Sequence, residues 1–393
     1  MKNSKKIAII AYHKSYNYGA FIQCYSLANK LKHDFPDHSV EVIDYMSLSA
    51  HKIYKNQIKS LSSWIHQPLA QIKLIKRNHI FDISQKHLPL SSFSLTSDSY
   101  DTLFARIRNT YDIIITGSDM VWNWNVRGFP NAYFLNSNLG AKKMSYAASS
   151  YGQDYTQVST VQSLYLKEAW SDFVYLGVRD KATEEFVKSV NNNLRPVHNC
   201  DPAFLLDLKS LPVNMDLLRN KLVKAGVNFN KPLIGIMGNN ILGENIKRLF
   251  SEKFQIIAVY EPNKSADIFL NDLNPFEWAR VFSFFTITFT HFFHGTLLSL
   301  LNSTPTIIVE GSSNYAKKFD TKIKDVLQRL DLMDLYFEKE DLDLKGWSSI
   351  EQAAHNIIKN FPIDKIRSAM ENEAKSYDDF KNALRNQLEM GYL

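Results

Sequence analysis

Residues 288–311 read TFTHFFHGTLLSLLNSTPTIIVEG. A short β-branched and aromatic run ends at Thr290. His291, Phe292, Phe293, His294 and Gly295 follow. An apolar stretch of helical spacing then leads through Asn302–Pro305 to a second apolar run, Thr306–Glu310. Strand, turn, helix and strand in this order predict one repeat of an α/β fold. Hydrophobic cores rarely hold two imidazoles three residues apart. The run therefore reads as a buried strand emerging into a turn, with His294 and Gly295 where strand meets helix. It is no membrane span. The near-apolar run from Val281 to Leu301 carries both histidines, Gly295 and several hydroxyls, short of about 18 uninterrupted apolar residues.

The same alternation extends in both directions. KPLIGIMGN, QIIAVYEP and TITFT read as strands of a second half, with helices over 244–253, PFEWARVFSFF and HGTLLSLLNS. In the first half KIAIIAY, SVEVIDYM, YDIIITGSD, KKMSYAASSYG and VYLGVRD read as strands. GAFIQCYSLANKLKHDF, 103–109 and 159–169 read as helices. The expected fold class is α/β, with two Rossmann-like doubly wound domains facing a cleft. The expected boundaries are 1–206, with a basic helical excursion at about 46–81, a linker with one helix at 207–231, a second domain at 232–345 and C-terminal helices at 346–393. Ligands of such sheets sit at the carboxyl ends of the strands.

Composition narrows the class. With 393 residues, 45% hydrophobic and 22% charged, the chain is long enough for two globular domains. Its two cysteines, Cys24 and Cys200, exclude a disulfide framework and a cysteine zinc site, and fit a reducing cytoplasm. The basic N-terminus has too short an apolar run for a signal peptide. Between Tyr45 and Phe81 there is no Asp or Glu, but there are Lys52, Lys55, Lys59, Lys73, Lys76 and Arg77. These six charges equal the net excess of +6. Ile53, Leu61, Trp64, Ile65 and Leu69 are interleaved with them, a pattern that suits either a solvated helical excursion or an anionic membrane surface. The rest of the chain is balanced and carries no nucleic-acid motif, so no nucleic-acid partner is expected.

Polar residues after the strands share a theme: HKSYNYGAF, GSDMVWNWN, SSYG, RD and HFFHGT. A parallel sheet brings these together along one edge. Gly19 and Gly295 fall where helices begin, and helix N-termini suit phosphate or carboxylate. There is no G-x-G-x-x-G and no P-loop. His291 and His294 lack the glutamate of an H-E-x-x-H zinc motif, so no metal is expected. His294, beside a glycine at a strand-to-helix turn, is placed for acid–base work.

Taken together these motifs resemble the polysaccharide pyruvyl transferase family. YNYGAFIQCYSLANKL resembles its opening element, VEVIDYM its second strand and YDIIITGSDMVWN its most specific internal signature. NAYFLN, KKMSYAASSYG, GVRDKATEEFVKSV and CDPAFLLD follow in the family's order. THFFHGTLLSLLNSTPTIIV is similar to its histidine–glycine motif. The resemblance implies an architecture similar to B-type glycosyltransferases. It also implies an enzyme, a transferase that moves the pyruvyl group of phosphoenolpyruvate onto two hydroxyls of a sugar. A cyclic ketal forms and phosphate is released. The acceptor would be an envelope or exported glycan, often a lipid-linked oligosaccharide, handled in the cytoplasm at the inner face of the membrane. No cofactor is implied beyond phosphoenolpyruvate as donor substrate.

On these positions the resemblance implies His294 as acid and Asp119 as base or as an orienter of acceptor hydroxyls. Arg179 would hold an anionic group of the donor, with Gly295, Thr296, Asn17, Gly19 and Lys322. Tyr18, Ser118, Trp122 and His291 would meet the acceptor. Two departures stand out. Many members carry arginine two residues before the motif histidine, and here that position is Phe292. His291 takes the place of the motif aspartate. Either another cation takes over, from Lys322, Lys318 or Lys14, or the donor differs. Two rival readings follow. One is a nucleotide-sugar glycosyltransferase in which Glu310 holds a ribose. The other is a non-catalytic glycan-binding relative.

Overall fold

The computed structural model describes residues 4–57 and 68–390. The part of the basic excursion at 58–67, Trp64 included, lies outside the described residues. Contacts divide the chain into two compact units. One is Met1–Gln71, Phe81–Leu206 and Ala374–Leu393. The other is Ile72–Ile80 with Asp207–Glu373.

The first part of the chain carries β1 (Lys6–Ile10), α1 (Tyr18–Asp34), β2 (Ser39–Met46), α2 (Leu48–Gln57), α3 (Pro68–Ser84), β3 (Leu90–Thr96) and α4 (Tyr100–Ile107). It continues with β4 (Ile113–Thr116), α5 (Trp124–Arg127), β5 (Lys142–Ala148), α6 (Thr160–Ser171), β6 (Phe173–Val178), α7 (Lys181–Val190) and β7 (Pro196–His198). Its seven strands pair in the order β3-β2-β1-β4-β5-β6-β7, every neighbour parallel. KIAII and IIIT form the middle because β-branched and aliphatic runs suit strands buried on both faces.

The second unit carries α8 (Met215–Lys224), β8 (Leu233–Met237), α9 (Asn240–Phe250), β9 (Gln255–Val259), β10 (Ile268–Leu270), α10 (Pro275–Val281) and β11 (Ile287–Thr290). It adds α11 (Phe293–Leu301), β12 (Thr306–Glu310), α12 (Lys322–Arg329), β13 (Tyr336–Glu338), α13 (Lys339–Lys345), α14 (Ser348–Asn360) and α15 (Ile363–Ala374). Its sheet runs β10-β9-β8-β11-β12-β13, also parallel throughout. Ile234, Ile256, Ile287 and Ile307 pack there against Ile246, Phe250 and Ile350. The last helix, α16 (Tyr377–Glu389), belongs to the first unit.

Three expected boundaries shift. Residues 207–231 carry the one helix expected of the linker, and they count with the second unit. This helix is α8, whose Leu218 and Leu222 are buried and whose Lys221 Nζ bonds Glu277 Oε2 at 2.7 Å. The C-terminal helices do not form one block, since α14 and α15 join the second unit and α16 the first. The excursion also contributes Ile72–Ile80 to the second unit.

Caps fix where the helices start. Asn17 caps α1, Asp180 caps α7, Asn239 caps α9 and Asn274 caps α10. Each side-chain oxygen accepts a first-turn N–H that would otherwise lack a partner. At α11 the cap position is Phe292, which has no side-chain oxygen to offer.

Candidate active site

Each sheet reverses its strand order once, between β1 and β4 in the first unit and between β8 and β11 in the second. Ligands of doubly wound sheets bind outside the carboxyl ends at such a reversal. Both positions carry polar residues that the sequence singles out.

In the second unit β11 ends at Thr290, whose hydroxyl donates to Met237 O at 3.1 Å and accepts from Phe292 N at 2.9 Å. This ties the turn to the end of β8. His291 N donates to Met237 O at 3.3 Å. Its half-buried ring lies 4.5 Å from that of Phe292, and burial lowers its pKa, favouring the neutral imidazole. His294, also half-buried, stands in the first turn of α11, edge-on to Phe293. Gly295 has to be glycine. A Cβ there would lie 2.5 Å from Thr290 Oγ1 and 3.0 Å from Met237 Sδ. Thr296 is fully buried and its hydroxyl donates to Phe292 O at 3.2 Å, so its side chain is committed within the helix.

Two further groups flank this turn. Lys322, the first residue of α12, holds its ammonium 5.4 Å from the Phe293 ring centre. Glu310 ends β12 and accepts from Thr321 Oγ1 at 2.5 Å. Burial raises its carboxyl above the ordinary value, opposed by hydrogen bonds from Thr321 and Tyr336 and by the charges of Lys322 and Lys324. Lys318 lies exposed on the preceding loop.

The first unit places a buried polar network at its reversal. Arg179 is 2% exposed and its Nη1 bonds Asp201 Oδ2 at 3.0 Å. Burial works against its charge, but Asp201, Asp119 and Asp180 outweigh burial and hold the guanidinium protonated. Gln23 reaches across from α1, donating to Asp201 Oδ2 at 2.5 Å and to Ser118 Oγ at 3.3 Å. Ser149 donates to Asp180 Oδ2 at 2.5 Å. Asp119 sits at φ +88°, its carbonyl accepting from Val121 N and Ser149 N. Asp119, Ala147 and Tyr260 hold positive φ at or just past the carboxyl ends of β4, β5 and β9. Non-glycine residues pay for that conformation, and such outliers cluster at functional sites.

Several expected roles meet obstacles in this geometry. Trp122 is fully buried against Trp170, with its indole N–H on Tyr133 O, so it is core and not a sugar platform. Tyr18 is 3% exposed and stacks on Phe81. Asn17 spends its side chain on the N–H groups of Gly19 and Ala20. Lys14 pairs with Asp44, which also contacts His13 Nε2 at 3.3 Å. The Arg179 guanidinium is enclosed by the protein's own carboxylates. Ser118, Asp119 and Arg179 do come together, as do His291, His294, Gly295 and Lys322. Sequence reading missed Gln23, Asp201 and Arg77. The Asp-Pro pair at 201–202 was the one available signal, for a capped turn. Among the described residues there is no cluster of three or more His, Cys, Asp or Glu able to hold a metal. No helix among them is long and apolar enough to cross a membrane.

A sequence profile described as polysaccharide pyruvyl transferase matches residues 17–313. No curated protein matches the chain. Among solved structures, a putative UDP-N-acetylglucosamine 2-epimerase from Listeria monocytogenes is similar at TM-score 0.57 and 11% identity, over 99% of this chain and 98% of that one. The S. aureus MnaA–UDP co-structure follows at 0.55 and 12%, covering 98% and 97%. A glycosyltransferase from Rickettsia africae gives 0.51 and 13%, covering 98% and 100%. Identities this low speak for the fold alone: two parallel α/β sheets with alternating helices.

Proposed function

We propose, from the premise that the chain belongs to the polysaccharide pyruvyl transferase family, that it moves pyruvyl from phosphoenolpyruvate onto two hydroxyls of a glycan precursor. The observation that carries this reading is His294 with Gly295 in the first turn of α11, at the carboxyl end of β11 and beside Lys322. An acid, a close-approaching backbone and a cation are what an anionic enol ester needs.

The donor's C=C electron pair takes a proton at the methylene carbon, leaving oxocarbenium character at the carbon that bears the carboxylate. One sugar hydroxyl attacks there and gives its proton to a base. The C–O bond to phosphate then breaks, and the second hydroxyl closes the ketal. Of the two hydroxyl protons, one replaces that used on the methyl group and one leaves with phosphate. His294 supplies the acid, and Lys322 offsets phosphate charge. In the first unit Asp119 lies beside Arg179, whose charge it helps to hold. Arg179 then acts as a positioning residue for the first unit's loops. The acceptor is an envelope or exported glycan, and contact with an anionic membrane belongs to the same reading.

The test is thermal shift of the purified protein with phosphoenolpyruvate and, separately, with UDP-, GDP- and CMP-sugars, since a ligand of the folded state alone raises Tm. The expected result is a shift with phosphoenolpyruvate, and phosphate release once acceptor glycan is added. A shift with one nucleotide sugar only would replace this reading by glycosyl transfer. Glycan binding without turnover would indicate a non-catalytic relative.

A further inference from the structure

Position 292, beside the two histidines, carries no charge, yet a guanidinium from a distant part of the chain contacts Tyr260, whose ring meets Phe292. Arg77 lies on α3, 183 residues before Tyr260, within the stretch that counts with the second unit. Its Nη1 donates to Tyr260 O at 3.1 Å, and its planar head lies 4.6 Å over the Tyr260 ring. Tyr260 follows β9 at φ +74°, a conformation that costs a non-glycine residue. The Tyr260 ring meets Phe292 nearly edge-on at 6.2 Å, and Phe292 in turn contacts His291. Next to Arg77, Lys76 is tied to Asp272 at 3.1 Å, which fixes this part of α3 on the second unit. Two cations thus approach the head of α11 by separate contacts, Arg77 through Tyr260 and Phe292, and Lys322 through Phe293.

We propose that Arg77 binds the carboxylate of an anionic enol-phosphate donor at the His294 site, while Lys322 takes its phosphate. A guanidinium held over an aromatic ring with one donor on a backbone carbonyl has a restricted orientation, and its planar fork is the group a carboxylate meets with two parallel hydrogen bonds. An ammonium is a point charge and suits a phosphate equally well from any direction. The strained Tyr260 then has a purpose: it presents ring and carbonyl to one guanidinium and so fixes the plane of the fork. This assignment rests on the pyruvyl-transfer reading and adds the residue that recognises the donor's carboxylate.

Calorimetric titration of phosphoenolpyruvate and of orthophosphate into wild type, Arg77→Ala, Arg77→Lys, Arg77→Gln and Lys322→Ala tests it. Loss of one charged, bidentate contact is expected to weaken phosphoenolpyruvate binding about 10- to 100-fold in Arg77→Ala. Arg77→Lys should fall between, since charge is kept and the fork is lost. Orthophosphate binding should be unchanged in Arg77→Ala and weakened in Lys322→Ala. Should Arg77→Ala fail to fold, Arg77→Gln keeps a planar group on Tyr260 and gives the same comparison. Wild-type phosphoenolpyruvate affinity in folded Arg77 variants, with or without a lower Tm, overturns the assignment and leaves pyruvyl transfer standing. Wild type that binds no phosphoenolpyruvate overturns both.

Discussion

Gly295 has no room for a side chain, and that decides what the turn can do. In Gly295→Ala the new methyl would meet Thr290 Oγ1 at 2.5 Å and Met237 Sδ at 3.0 Å. Thr290 is fully buried and hydrogen-bonded to the end of β8, so it cannot swing away. Overpacking of this kind costs about 1–3 kcal/mol, and the first turn of α11 has to shift. A lower Tm together with reduced turnover is the expected outcome. His294→Ala separates chemistry from packing, because the ring is only half-buried. Turnover should drop about 100- to 10,000-fold at an unchanged Tm, the size of a lost general acid. A lower Tm with turnover intact would make His294 a structural residue. Asp44 gives a pH signature. Burial alone would raise its carboxyl, but hydrogen bonds from His13 and Lys14 outweigh burial and hold it at about 2, against an ordinary value of about 3.9. The folded value is depressed, so its contribution is present above about pH 4 and is lost as pH falls towards 2. The Tm difference between wild type and Asp44→Asn should therefore shrink across that window. A difference constant down to pH 2 contradicts the assignment.

At the scale of elements, strands buried on both faces were legible and edges were not. IIIT and KIAII are apolar runs between helical patterns, and they form the centre of the first sheet. β3, LSSFSLT, alternates between half-buried and exposed, and β10 and β13 have three residues each, too few for a period to show. The sites followed the same divide. Residues just after central strands could be placed on one edge from the pattern alone. Which of them faced solvent could not, because Trp122 and Tyr18 look identical in sequence whether they meet a sugar or the core. Arg179 is the case with the largest consequence. Enclosed by Asp201, Asp180 and Asp119, it joins the loops after β4, β6 and β7. Removing one partner of a buried ion pair costs about 3–5 kcal/mol, because the others stay buried and uncompensated. Arg179→Ala should destabilise the fold by that margin and so lower Tm with or without phosphoenolpyruvate present, whereas a donor-binding arginine would change affinity and leave the unliganded Tm alone. α3 makes a different demand. Ile72 is 53% exposed and Ile75 39%, one turn apart and interleaved with exposed Lys73 and Lys76. If the basic stretch before α3 docks on anionic lipid as proposed, changing Lys52, Lys55 and Lys59 to Glu should release the protein from anionic vesicles, and binding unaffected by the change would refute the proposed membrane contact.

For the whole molecule, the decisive feature is the return of the chain to its first unit at the end. α16 buries Tyr377, Phe380, Leu384 and Leu388. Phe380 packs on Tyr146 at 4.9 Å and on Tyr175 at 5.5 Å. Ser376 accepts Cys200 N at 2.7 Å and its carbonyl accepts Asn199 Nδ2 at 3.0 Å, while Lys381 pairs with Asp34 at 3.1 Å. Each large apolar side chain buried this way is worth about 1.5–3 kcal/mol, and a domain's entire stability is about 5–15 kcal/mol. Removing four of them takes most of that margin from the first unit. The core of the second unit, built on Ile234, Ile256, Ile287, Ile307 and Ile350, includes no residue of α16. Truncation after Glu373 should therefore open the first unit to protease between β1 and β7 while fragments spanning 233–373 persist. If instead the fragments that vanish first come from the second unit, the C-terminal tail stabilises the protein by a route other than the contacts described for α16.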